Sequence, residues 1–213
     1  IIKNVEKLMG KVSITPSVPI ILASASSIRA EMLKNTGLVF SIKTSNVDEN
    51  ELKKTLINKS IKKKAKLLAC AKASNVSHNN PNKYIIGADQ ICTINDKILS
   101  KPITMDNAIK QLSTLSGNTH KQTSAISLYY NNELIWSYAE EALLTMHKLN
   151  SDEIIKYLEL DQPFNSCGSY KYESLGCHLF SKVVGQSETI QGFPIIPLLK
   201  QLRKNKLYSL INK

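Results

Sequence analysis

Apolar residues come in short runs separated by polar, turn-forming clusters, and the runs alternate between strand-like and helix-like periods. Pro19-Ile20-Ile21-Leu22-Ala23 is continuously apolar, as a buried strand requires. It breaks at Ser24-Ala25-Ser26-Ser27 into a helical stretch over residues 28–35, closed by Gly37. Residues 38–42 read as the next strand, and residues 50–75 as a Lys-rich helical region with Leu52, Leu56, Ala65, Leu68, Ala69 and Ala73 on its apolar face. Residues 84–89 predict a buried strand ending in a carboxylate, followed by a hairpin over 91–99 turned at Asn95-Asp96. Thr104 has the character of an N-cap for a helix with Ala108, Ile109, Leu112 and Leu115 at helical spacing, stopped by Gly117. Residues 119–130 and 134–149 read as meander strands about Asn131-Asn132-Glu133. A short helix over 152–160 follows, capped by Ser151, then mixed strand and loop over 168–184, and a terminal helix opened by Pro194.

The alternation of strands and helices predicts an α/β fold. With 213 residues, 42% of them hydrophobic, the chain can bury one sizeable core. Residues 1–19 read as a basic arm and residues 20–213 as a single α/β domain. The net charge of +11 favours anionic partners, because a positive field concentrates phosphate-bearing ligands. Lysine is spread through the whole chain, however, so most of that charge reads as solvated surface. A nucleic-acid-binding module has little support: no RRM, KH or helix-turn-helix pattern occurs, and aromatics make up only 6%. Cys70, Cys92, Cys167 and Cys177 form no CxxC pair, no secretory apolar segment precedes them, and no apolar run approaches a membrane span. Reduced thiols and a cytoplasmic location, with no membrane association, are the expectation.

Chemistry can sit in three places. The turn 24–27 sets backbone N–H groups and hydroxyls at a helix N-terminus, where unpaired donors and the positive end of the helix dipole attract anions; Arg29 adds a fork suited to phosphate oxygens. A serine-rich turn is more often only a cap. Asp48-Glu49 follows the second strand, and Asp89 closes a buried one, where open α/β sheets place ligand-binding groups. Two separated carboxylates beside a phosphate cradle suit Mg²⁺ or Mn²⁺. His78, His120, His147 and His178 are dispersed without metal-ligand spacing, and no GxSxG, P-loop or GxGxxG occurs.

Together these segments resemble the Maf family of nucleotide pyrophosphatases over residues 20–202. Leu22-Ala23-Ser24-Ala25-Ser26-Ser27-Ile28-Arg29 is similar to that family's opening Leu-Ala-Ser-x-Ser-Pro-x-Arg, and Val47-Asp48-Glu49 to its Val-Asp-Glu. Leu68-Ala69-Cys70-Ala71-Lys72-Ala73 resembles its Leu-Ala-x-x-Lys-Ala helix, Ile85-Ile86-Gly87-Ala88-Asp89-Gln90 the strand with the catalytic Asp, and Ser100-Lys101-Pro102 its Lys-Pro. Leu115-Ser116-Gly117-Asn118-Thr119-His120 and Gly192-Phe193-Pro194 complete the set. The resemblance implies a twisted mixed sheet flanked by helices, two lobes with a central cleft as in Maf and ITPase-like proteins, and a homodimer. It implies hydrolysis of a nucleoside triphosphate between its α and β phosphates with a divalent metal, as nucleotide-pool house-cleaning. Ser26 and Arg29 would hold phosphate, with Ile28, Gln90 and Glu173 also contacting substrate. Lys72 and Lys101 would neutralise developing charge, Glu49 and Asp89 would bind the metal, and Asp89 would accept the proton.

The chain departs from the family at Ser27, where proline is usual, and at Ile28, where many members have Arg or an aromatic residue. Ser166-Cys167-Gly168-Ser169-Tyr170 replaces a commoner Lys-Ala-Gly-Ala-Tyr. Gln90 and Glu173 resemble the 7-methyl-GTP branch, since a glutamate accepts from guanine N–H groups and favours a cationic methylated purine. A pyrimidine triphosphate (UTP, dTTP or CTP) remains the alternative substrate, and a nucleotide-binding regulator of cell division or septum formation with little catalysis the alternative function.

Overall fold

The computed structural model describes residues 13–210. In chain order the elements are β1 (Ile20–Ala23), α1 (Ser27–Asn35), β2 (Ser41–Ile42), α2 (Glu49–Thr55), α3 (Ile61–Ser77), β3 (Tyr84–Ile94), β4 (Lys97–Leu99), α4 (Met105–Leu115), β5 (Thr119–Tyr130), β6 (Glu133–Met146), α5 (Ser151–Asp161), a 3₁₀ turn (Leu175–Leu179), β7 (Phe180–Val184), α6 (Ser187–Ile190) and α7 (Ile195–Lys204). The strands form one mixed sheet in the order β2-β1-β3-β5-β6-β7, with β4 added to β3, and helices flank it. β1 lies parallel to both β2 and β3, and its four residues are all buried, so the apolar run needs no polar alternation.

β3 corrects the expectation of a strand ending at Asp89. It runs on as a single strand to Ile94 because β5 pairs with it from Tyr84↔Tyr130 to Thr93↔Lys121. Neither Gly nor Pro interrupts Asp89-Gln90-Ile91, so nothing local stops the ladder. Asp89 therefore sits in mid-strand. On the opposite edge of β3, β1 pairs only as far as Ala23↔Gly87, and β4 begins at Cys92↔Leu99. Residues 88–91 carry no strand on that side, and the sheet opens there.

The helical region expected over residues 50–75 is two helices. Asp48 caps α2, its Oδ1 accepting from the Asn50 and Glu51 amides at 3.0 Å each, and Ser60 caps α3. The cap of α5 is Asn150, not Ser151: Asn150 and Glu153 form a reciprocal capping box that leaves Ser151 as the first helical residue. Of the strand expected over 38–42, only Ser41–Ile42 pairs as β2, while Leu38 makes a lone bridge to Ile14. The β5–β6 hairpin turns on Asn131 and Asn132, with φ of 48° and 69°, the left-handed pair that a two-residue hairpin loop requires.

Two core clusters give the molecule its lobes. Ile20, Leu22, Leu33, Ile86, Leu128, Phe193 and Leu198 pack under α1 and α7, while Leu112, Leu115, Leu144, Ile154, Leu158 and Tyr170 pack between β6 and α4–α5. Of the basic arm, residues 1–12 lie outside the described residues. Its remainder joins the first lobe: Ile14 and Val18 pack on that core, and the Ser17 amide donates to the Leu207 carbonyl at 2.7 Å.

Candidate active site

The opening in the sheet becomes a cleft of about 1380 Å³. Its walls come from the turn before α1, from α2 and α3, from the segment after β4, and from the loop after α5. Ser26, Ile28, Arg29, Glu49, Lys72, Asp89, Gln90, Lys101 and Glu173 all border it.

At its centre the alternation of β3 turns Gly87, Asp89 and Ile91 toward α3, and the helix answers with a lysine. Lys72 Nζ donates to Asp89 Oδ1 at 2.6 Å and lies 2.9 Å from Glu49 Oε1. Lys72 and Asp89 are both buried, so each carries the other's desolvation cost. Lys53 reaches the second oxygen of Glu49 at 3.5 Å. Burial pushes the Glu49 carboxyl up, but the Lys72 and Lys53 ammonium groups outweigh it and leave it below its ordinary range. Lys72 thus gathers Glu49 from α2 and Asp89 from β3 onto one point.

The turn before α1 is tied down from within. The Ser26 hydroxyl caps α1 by accepting from the Arg29 amide at 3.5 Å, and the Ser26 amide donates to Ser24 Oγ at 3.2 Å. Arg29 Nε donates to the Gly192 carbonyl and Nη1 to the Ala88 carbonyl, each at 2.9 Å, the latter filling a vacant acceptor on the open edge of β3. Burial lowers the guanidinium pKa, against the raising pull of Asp89, Cys167 and Glu49. Gln90 faces the other side of the sheet from Asp89, and its amide donates to the Ile190 carbonyl at 2.6 Å. Gly192, at φ 91°, passes close to both: a Cβ there would lie 2.9 Å from Gln90 Oε1 and 3.3 Å from Arg29 Nη2. Arg29 and Gln90 thus direct to main chain donors that the resemblance assigned to substrate. Lys101 and Glu173 stand exposed at the rim, without an ion pair to the central cluster.

Several cleft residues carried no recognisable motif. Lys53 and Lys64 border it, and the spacing of four in Lys64, Leu68 and Lys72 on α3 is the signal that aligns them on one face. Counting Arg29, Lys53, Lys64, Lys72, Lys101 and Lys171 against Asp48, Glu49, Asp89 and Glu173, six cationic side chains line the cleft against four acidic ones. An anionic ligand is favoured. Burial and Asp89 raise the Cys167 thiol pKa on the far wall, while Lys101, Lys53 and Arg29 pull it down.

Beneath that wall, Tyr170 Oη lies 2.8 Å from His120 Nε2 and from the Gln122 amide nitrogen. His120 is 2% exposed, its Nδ1 has no hydrogen-bond partner among the described residues, and burial lowers its pKa to about 4. A folded-state pKa below the unfolded value means that the unfolded chain binds the extra proton. Stability is therefore full above about pH 6.5 and is lost as pH falls toward 4. Denaturant unfolding should show about 2 kcal/mol less stability at pH 5 than at pH 7.5, and His120→Val should remove that slope. An unchanged slope in the variant would place the titrating group elsewhere.

Residues 19–205 match the family model described as Maf-like protein. A nucleoside triphosphate pyrophosphatase of Legionella pneumophila (strain Lens) is 40% identical over 184 residues, covering 86% of this chain and 92% of that protein. A 7-methyl-GTP pyrophosphatase of Bartonella henselae is 40% identical over 186 residues, covering 86% and 94%. Among solved structures, a HAM1 protein from Coxiella burnetii aligns over 88% of this chain and 99% of its own, with 13% identity and a TM-score of 0.44.

Proposed function

The chain belongs to the Maf-like family, and from that premise we propose that it is a nucleoside triphosphate pyrophosphatase, releasing pyrophosphate and a nucleoside monophosphate. The observation that carries this reading is the convergence of Glu49, Lys72 and Asp89 in a cationic cleft beside the N-terminus of α1. Water attacks the α phosphorus, the new O–P bond forms, and the bond to the bridging oxygen breaks as pyrophosphate leaves. Asp89 takes the water's proton on Oδ2, since Oδ1 is held by Lys72. Lys72 and Lys101 offset the charge that builds on the phosphoryl oxygens, while Ser26 and the free Nη2 edge of Arg29 receive phosphate oxygens.

Glu49 and Asp89 also fit a divalent ion. They are two carboxylates that already turn an oxygen each to one cation, the Lys72 ammonium, at 2.9 and 2.6 Å. Two carboxylate oxygens suit Mg²⁺ or Mn²⁺, which Glu49 and Asp89 would hold together with the substrate's own phosphate oxygens. When bound, the ion would polarise the phosphoryl oxygens.

The finer reading is a 7-methyl-GTP-like purine substrate. Gln90 has its amide nitrogen engaged at the Thr189 and Ile190 carbonyls, so base discrimination falls to Glu173, whose carboxylate makes no hydrogen bond or ion pair among the described residues. The protein acts as a cytoplasmic homodimer in this reading, without a stable nucleic-acid or membrane partner. No described helix is long and apolar enough to cross a membrane.

Pyrophosphate release is the test, across 7-methyl-GTP, GTP, UTP, dTTP and CTP with Mg²⁺ or Mn²⁺. We expect 7-methyl-GTP to lead UTP by about tenfold or more in kcat/KM, and chelation to abolish turnover. Equal rates on all bases would sink the base assignment. Nucleotide binding with no release from any of them would favour the regulator.

A further inference from the structure

Glu173 sits at the tip of a loop whose two ends are fastened to one residue, Ser174 to the Asp161 carboxylate and Lys171 to the Asp161 carbonyl and to Tyr157. Asp161, the last residue of α5, is 8% exposed. Its Oδ1 accepts from Ser174 Oγ at 2.7 Å, and its Oδ2 from Tyr157 Oη at 2.9 Å. The same Tyr157 oxygen accepts from the Lys171 amide at 3.0 Å, and the Asp161 carbonyl accepts from Lys171 Nζ at 2.6 Å. Lys171 and Ser174 are thus both held to Asp161, with Tyr172 and Glu173 projecting between them.

The loop is closed tightly from within as well. The Ser174 and Gly176 amides donate to the Lys171 carbonyl at 3.2 and 3.0 Å, and a Cβ at Gly176 would lie 2.3 Å from that oxygen. Tyr172 rests against Phe180, with ring centroids 6.0 Å apart, and both Tyr172 and Glu173 border the cleft. Burial, with Asp161 beside it, raises the Tyr157 pKa, so the hydroxyl stays a donor to that carboxylate. A buried carboxylate is costly unless its oxygens are satisfied. Here both are satisfied by groups that locate the loop, one directly and one through Tyr157.

We propose that Asp161 is a positioning residue for nucleobase discrimination: by clamping Lys171 and Ser174 it fixes where the Glu173 carboxylate meets the base. This rests on the reading of Glu173 as the base contact. Among the described residues Glu173 makes no hydrogen bond or ion pair of its own, so its position at the rim is set by its loop. Without the clamp the carboxylate samples the rim, and the purine loses its partner while the triphosphate machinery at Lys72 and Asp89 is untouched.

Steady-state kinetics on 7-methyl-GTP and UTP, for wild type, Asp161→Ala, Ser174→Ala, Glu173→Gln and the Asp161→Ala/Glu173→Gln double variant, test the idea. In Asp161→Ala the preference for 7-methyl-GTP should fall about tenfold through KM, with UTP parameters within about twofold of wild type. Ser174→Ala should lie between, and serves if Asp161→Ala does not fold. The double variant should lose no more than Glu173→Gln alone, because the two act on one contact. Hydrogen exchange of the 171–176 amides should rise in Asp161→Ala while the strands stay protected. Equal losses on both substrates, an unchanged preference, or losses that add would overturn the proposal. A Glu173→Gln variant with wild-type preference would instead overturn the base-contact reading, and the exchange of 171–176 still reports on the clamp in that case.

Discussion

Asn in place of Asp89 is expected to lower kcat by roughly a thousandfold while nucleotide affinity stays within a few-fold, because a carboxamide cannot take the water's proton. The geometry makes the substitution a clean one. The carboxamide oxygen can still accept from Lys72, whose ammonium keeps Glu49 as a second partner at 2.9 Å, so the cluster is not left with an unpaired buried charge. Pyrophosphate release with saturating nucleotide, set beside calorimetric binding of the same nucleotide, separates the two effects. A loss of less than about tenfold would remove Asp89 from the proton-transfer role and leave it as a counter-ion for Lys72.

Ala in place of Gly87 should be the most damaging substitution of one methyl group in the sheet. A Cβ on this residue would lie 2.1 Å from the Ala69 carbonyl oxygen and 2.9 Å from both the amide nitrogen and the Cβ of Ala73. Two of these three atoms are backbone, so no rotamer change relieves the contact, and α3 must move off β3. Overpacking of this kind costs about 3 kcal/mol, which for a chain of this size lowers Tm by roughly 6–12 °C. Activity should fall as well, because Lys72 lies on the displaced helix and reaches Asp89 two residues along the strand from Gly87. Thermal unfolding and pyrophosphate release together check this, and a variant with wild-type Tm would show that α3 does not pack on the strand as closely as described.

The local patterns of the chain determined most of its elements. The apolar run at β1, the helical spacing of Ala108, Leu112 and Leu115 in α4, and the Asn131-Asn132 turn each contain their own cause, so composition and spacing alone predicted them. The candidate site residues stand in short motifs that resemble those of the Maf family, and Ser26, Arg29, Glu49, Lys72, Asp89, Gln90, Lys101 and Glu173 do border one cleft. What each of them touches was not legible. Asp89 reads as the end of a strand until β5 pairs through it, because strand length is set by the partner as much as by the residues themselves. The split into α2 and α3, the bonds of Arg29 to Ala88 and Gly192, and the clamp of Asp161 on Lys171 and Ser174 depend on which backbone groups were left unpaired when the sheet and helices packed. The sequence by itself determined the chemical types available and the elements that carry them. Only the tertiary structure decided that Lys72 would join Glu49 to Asp89, because packing α3 on β3 buries Lys72 against Asp89 and leaves that ammonium at the cleft wall where the half-exposed Glu49 of α2 can reach it.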